Sequence, residues 1–163
     1  MALIRGSFQR PLVALSIFLA VLALYLFTLA PSITQRHFGA DSAELAATAY
    51  TMGVAHPTGY PSYLLLAKIF SLVIPWGDVA HRVNILSAVN GAGAVALVYL
   101  LCRLLIERTF RDSRGISSRA SAAATIAATA FAFSPLLWSQ SIKAEVYSLN
   151  ALFTGSVMLL ALL

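Results

Sequence analysis

The chain has 163 residues, 60% of them hydrophobic and 10% charged, with a formal net charge of +5. A soluble domain carries about 25% charged and 45–50% apolar residues, so this composition speaks against a water-solvated globule and for a chain that lives in a bilayer. The basic residues gather at the ends of apolar runs, which reads as membrane topology rather than a nucleic-acid surface, and no nucleic-acid partner is expected. Cys102 is the single cysteine, so no intrachain disulfide can form.

The first apolar run covers residues 11–30, long enough at ~1.5 Å per residue to cross a hydrocarbon core of about 30 Å. Arg5 and Arg10 precede it. The run exceeds the roughly 7–15 apolar residues of a signal peptide, and Ala30-Pro31 is a poor cleavage site, so it reads as a retained anchor. Residues 31–82 form a polar outer loop that contains a short apolar segment, 62–74, with Lys68 at its centre. Apolar runs of about 10–14 residues are more often interfacial than spanning. The expectation is an amphipathic helix on the membrane surface, ended by Pro75 and Gly77. Further spans are expected at 83–106, at 120–138, and from 149 to 163, where the last run has no polar closure and the chain reads as truncated.

Arg103, Arg108, Arg111, Arg114 and Arg119 crowd the short connection after the second span. The positive-inside rule then puts the N-terminus and this connection in the cytoplasm, and residues 31–82 and 139–148 outside. Arg36, Lys68, Arg82 and Lys143 fall on the outer side, spread over much longer polar sequence. Ser87 and Gly91, and Ala123, Ala124, Ala127 and Ala128, are small residues at spacings that let helices approach closely in lipid. The fold class expected is all-α integral membrane, a multi-pass transmembrane helical bundle, with residues 1–163 the N-terminal portion of one transmembrane domain in the plasma (inner) membrane.

Chemistry concentrates in the outer loop. Asp41 and Glu44 are three apart, so on a helix both carboxylates project from one side near its start. Such a pair serves as general base, cation holder or sugar-hydroxyl acceptor. The same spacing also resembles a capping box, and acids suit a helix N-terminus in any case. Next comes the strap Gly53-Val54-Ala55-His56-Pro57-Thr58-Gly59-Tyr60-Pro61, in which two prolines bias His56 and Tyr60 toward extended backbone and Gly59 permits a turn. His56 with the two carboxylates also makes a set of metal ligands, but no local ligand spacing accompanies it and no metal is assigned. Arg82 stands at the outer end of the second span, where a cation snorkels to the interface or binds a lipid phosphate. In the second outer segment Trp138 and Tyr147 fit an interfacial aromatic belt. Lys143 and Glu145, two apart, would not face each other on a helix. Glu145 and Asn150 either anchor the last span or line an outer cavity beside Asp41.

Four segments together resemble a known family. They are Asp41-Ser42-Ala43-Glu44-Leu45, the His56-Pro57-Thr58-Gly59-Tyr60-Pro61 strap, Arg82-Val83-Asn84-Ile85-Leu86-Ser87-Ala88 and Glu145-Val146-Tyr147-Ser148-Leu149-Asn150. They are similar to the bacterial membrane family called domain of unknown function 2723, which resembles the C-fold glycosyltransferases related to transmembrane protein O-mannosyltransferases. The resemblance implies an enzyme that moves a sugar from a polyprenyl-phosphate carrier to an acceptor hydroxyl on a protein or glycan outside the cytoplasm. It implies Asp41 as base with Glu44 as its partner, and Arg82 as the ligand of the carrier phosphate. His56, Tyr60, Lys68 and Glu145 complete the substrate-binding set. Adjacent acids are usual in the better-known mannosyltransferases, whereas here two residues separate them. No phosphate-cradling glycine motif appears, which agrees with a lipid-linked donor rather than a nucleotide sugar. The competing expectations are a transporter or flippase for a lipid-linked sugar and a non-catalytic membrane subunit. Against transport, the strong acids lie in loops rather than at mid-span.

Overall fold

The computed structural model describes residues 2–34, 40–110 and 115–163, with side chains from residue 11 in the first stretch and from residue 41 in the second. Gly39, Arg36, Arg111, Arg114 and the side chains of Arg5 and Arg10 lie outside the described residues, and with them much of the charge pattern used for topology. Seven helices make up the regular structure among the described residues. They are α1 (Ala2–Phe27), α2 (Ala40–Thr51), α3 (Pro61–Val73), α4 (Val79–Thr109), α5 (Ile116–Ala132), α6 (Pro135–Ser141) and α7 (Tyr147–Leu162).

Helix α4 is the axis of the fold and touches every other helix. Its 31 residues extend about 45 Å at ~1.5 Å per residue. It begins one turn before the apolar run because Asp78 caps it: the His81 amide donates to Asp78 Oδ1 at 2.7 Å. The Ser32 hydroxyl donates to the other carboxylate oxygen, tying the segment after α1 to the same cap. These two bonds hold the Asp78 carboxyl below its ordinary range. By length and composition, α4 is the one described helix able to cross a membrane alone; α5 with α6 makes a second span only as a bent pair.

The third apolar run, expected as one span over 120–138, is broken. Helices α5 and α6 meet at 65°. The cause is Pro135, which lacks an N–H and drives the preceding residue out of the α region. Ser134 accordingly has ψ 131°, and its hydroxyl accepts the Leu137 amide to cap α6. The stripe of α5 that packs inward is Ala120, Ala124, Ala128 and Ala132, all fully buried at i, i+4 spacing, so Ala123 and Ala127 stand to the side of it.

Two apolar cores stack along α4. One joins Tyr25 of α1, Ala88, Ala92 and Val95 of α4, the α5 alanines and Leu137 of α6. The other seats α2 and α3 on the first half of α4 through Leu45, Ala49, Tyr63, Leu64, Val83 and Leu86. Helix α3 turns Leu65, Ile69 and Leu72 outward on its opposite face. Gly91 of α4 faces Ser141, the last residue of α6: an added Cβ would sit 2.8 Å from Ser141 Cβ, nearer still to its hydroxyl, and 3.2 Å from Tyr25 Cε2. Gly91→Ala should therefore destabilise the fold by about 1–3 kcal/mol, the usual cost of overpacking. Thermal unfolding in detergent measures it, and an unchanged midpoint would mean that α6 does not rest on Gly91.

Candidate active site

Helix α2 carries Asp41 and Glu44 in its opening turns, and the chain after it folds back over them. Met52 adopts the left-handed conformation (φ 57°), and the Gly53 amide donates to Thr48 O at 3.0 Å, which together end the helix in a Schellman-type reversal. The strap then brings His56 onto Glu44. One carboxylate oxygen accepts the His56 backbone N–H at 2.7 Å, and the other bonds Nδ1 of the ring at 2.8 Å. Both oxygens of Glu44 are thus taken by His56 and neither reaches back to cap α2. Nε2 of the ring meets the Tyr60 hydroxyl at 3.2 Å, and the two rings pack edge to face with centroids 5.3 Å apart. Tyr60 is not extended as expected: it is left-handed (φ 47°, ψ 49°) and leads directly into α3. That conformation costs on the order of 1–3 kcal/mol in a non-glycine residue, and its contact with His56 helps to hold it.

The Glu44–His56 pair sets its own protonation. His56 is raised from its ordinary 6.5, chiefly by the Glu44 hydrogen bond, with further help from the charges of Asp41 and Glu145. Glu44 is lowered from 4.5 by its two bonds to His56. Glu44's contribution is complete above about pH 4.5 and is lost as pH falls through its depressed value; His56's is complete below about pH 6.5 and is lost as pH rises through its raised value. The clamp is therefore fully formed between those limits. In Glu44→Gln the His56 titration midpoint, followed by NMR, should drop toward 6.5; a midpoint that stays put would remove Glu44 as its cause.

Glu145 reaches the same place from the other end of the chain. After α6 stops at Ser141, residues 142–146 are not helical, so the expectation that Lys143 and Glu145 point apart fails. Lys143 Nζ lies 2.7 Å from Glu145 Oε1, and the residues are 0% and 2% exposed. Ser87 of α4 pins the turn: its hydroxyl donates to Glu145 O at 3.3 Å and accepts the Glu145 amide at 3.2 Å. Glu145 is raised above its ordinary value by burial, with Lys143 opposing and Asp41 reinforcing the shift. Glu145, Asp41 and Gln140 line a cavity of about 510 Å³ together with the apolar side chains of Phe131, Leu136 and Leu137 from the two helices of the α5–α6 bend.

Two expected members stand elsewhere. Arg82 donates to Ser71 O, Gly77 O and Trp76 O at 3.0–3.3 Å, so its guanidinium caps the end of α3 and the turn into α4. Lys68 donates to Tyr50 O at 2.6 Å and lies over the Tyr50 ring, closing the C-terminal end of α2. Lys143, Gln140 and Ser87 were missed. The available signal was that Lys143 and Glu145 are the only charged residues between 120 and 163. Asp41, Glu44 and His56 each bring a ligand atom within 4.8 Å of the others, close enough for three ligands of one divalent ion. Such an ion would displace the Glu44–His56 bond.

A helical fold among the described residues, with a carboxylate–imidazole cluster that shares Asp41 with an amphiphilic cavity, is the class these observations define. The family model described as Protein O-mannosyl-transferase TMEM260 N-terminal domain matches residues 41–163, and the chain belongs to that family. It is 40% identical over 148 residues to the Mus musculus protein named Protein O-mannosyl-transferase TMEM260, covering 90% of this chain and 19% of that protein. It is 32% identical over 146 residues to the Dictyostelium discoideum protein of the same name, covering 88% of this chain and 16% of that one. The chain thus spans less than a fifth of the length of these relatives. No solved structure matches it. The match supports the O-mannosyltransferase side of the resemblance, on eukaryotic relatives, and not the bacterial label of domain of unknown function 2723 in particular.

Proposed function

We propose that this chain supplies the catalytic outer loop of a membrane glycosyltransferase that moves a mannosyl group from a polyprenyl-phosphate carrier to a protein hydroxyl. The observation that carries the reading is the cavity, whose lining combines two carboxylates, Asp41 and Glu145, with apolar side chains. A lipid-linked sugar combines polar and apolar parts likewise, and it reaches a site at the membrane surface sideways through the outer leaflet. The family relatives named as O-mannosyl-transferases support the transferred group. The helices around α4 form a multi-pass bundle in this reading, with α3 on the membrane surface and the cavity on the extracytoplasmic side.

Asp41 is the general base. Its carboxylate takes the proton of the acceptor hydroxyl as that oxygen bonds the anomeric carbon. The bond from that carbon to the phosphate oxygen breaks with its electron pair, leaving polyprenyl phosphate. A departing phosphate needs a cation or hydrogen-bond donor. His56, clamped beside Asp41 and with its charged form favoured by Glu44, fits that role better than Arg82, whose Nε and one terminal nitrogen already donate to backbone carbonyls at the end of α3 and in the turn after it. Glu44 orients His56. No metal is needed for this sequence of bond changes. The test supplies polyprenyl-phosphate mannose, labelled in the sugar, to membranes carrying the chain in its full natural length. Transfer to protein is the expected result; uptake of the sugar without any glycosyl product would instead make the protein a transporter.

A further inference from the structure

The buried Lys143 does more than neutralise Glu145. An ammonium group has donors and no acceptor. Its Nζ lies 2.7 Å from Glu145 Oε1 and 3.5 Å from Gln140 Oε1. At 3.5 Å, a long contact, Nζ can pair only with the amide oxygen of Gln140, which biases that oxygen toward the lysine and leaves the NH₂ for the cavity that Gln140 lines. The same lysine commits one oxygen of Glu145, and among the described residues the other has no hydrogen-bond partner. One wall of the cavity thus presents a carboxylate acceptor beside an amide donor, both on side chains that are at least nine-tenths buried. Ser87 holds the backbone beneath Glu145, so the pair is built into the fold rather than left on a mobile surface.

A carboxylate next to a primary amide suits a group that donates one hydrogen bond and accepts another at neighbouring positions. Adjacent hydroxyls on a sugar ring do this. A phosphate does not, because an anion is repelled by Glu145, and a hydrocarbon chain offers neither bond. We propose that Glu145 and Gln140, set by Lys143, form the subsite that grips a pair of neighbouring hydroxyls on the sugar ring within this cavity. The proposal rests on the glycosyl-transfer reading and assigns the sugar to this wall and the carrier lipid to the Phe131, Leu136 and Leu137 side. Lys143 is a positioning residue in this arrangement, acting through the other two.

The experiment compares binding of two probes, polyprenyl-phosphate mannose and polyprenyl phosphate without sugar, to the full-length protein in nanodiscs. In the wild type the mannosyl probe should bind more tightly. Gln140→Leu and Glu145→Gln should each weaken it by about 10- to 100-fold, the effect of losing a hydrogen bond in a buried polar site, while the sugar-free probe is unchanged. Lys143→Met should show the same selective loss, and Lys143→Arg, which keeps the charge, should recover part of it. Equal loss for both probes in Gln140→Leu, or no loss for either, overturns the subsite while leaving the donor reading in place. A wild type that binds the two probes equally does the same. Failure of the wild type to bind either probe removes the glycosyl-transfer reading, and the subsite with it.

Discussion

Asp41→Asn should lower sugar transfer by roughly 10²–10⁴-fold, the usual contribution of a general base. The amide keeps the shape of the side chain and its place in the first turns of α2, but it cannot take a proton. Stability should change little, because the clamp on His56 is made by Glu44 and not by Asp41. Binding of the lipid donor should also survive, so the loss falls on turnover. The measurement is transfer of labelled mannose at matched protein level, with the unfolding midpoint of each variant as control. Full transfer by Asp41→Asn would take the base role away from Asp41 and point to the Glu44–His56 pair, which has the connectivity of an oriented imidazole base.

Lys143→Met should be the most destabilising single change in the outer half of the molecule. It leaves the Glu145 carboxylate buried without its cation. Breaking a buried pair from one side costs about 3–5 kcal/mol, whereas replacing both partners with neutral groups costs far less. The double variant Lys143→Met/Glu145→Gln should therefore be more stable than Lys143→Met alone. Unfolding of the two single variants and the double variant closes a double-mutant cycle. Costs that simply add would show that the two side chains do not interact, and would also remove the basis for assigning the orientation of Gln140.

Much of the candidate site was legible because it lies in short local patterns. Asp41 and Glu44 share a helix face by spacing alone, and the prolines and Gly59 announce a non-helical strap carrying His56. For Glu145 the sequence left two roles open, anchoring the last span or lining an outer cavity, and it lines the cavity in the fold. Spacing alone could say only that Lys143 and Glu145 would not face each other on a helix, and residues 142–146 of this outer segment are not helical. Pro135 and the end of α6 at Ser141 break the helical period, and only then do Lys143 and Glu145 come together.

What the sequence determined by itself is the apolar runs that become helices, though not the break of the third run at Pro135, since apolar periodicity acts over a few residues. It also determined the identities of the acids and imidazole that meet at the site. Tertiary structure decided which cation faces which acid. The resemblance gave Arg82, at the outer start of the second span, to the carrier phosphate; in the fold the carbonyls at the end of α3 and in the turn after it take its Nε and one terminal nitrogen. Lys143 looked like an outer topology charge, but the fold buries it against Glu145, two residues beyond Ser141, where α6 meets α4 at Gly91. A long flexible cation goes wherever unpaired acceptors are nearest in space, and that distance is set by packing between helices rather than by spacing along the chain.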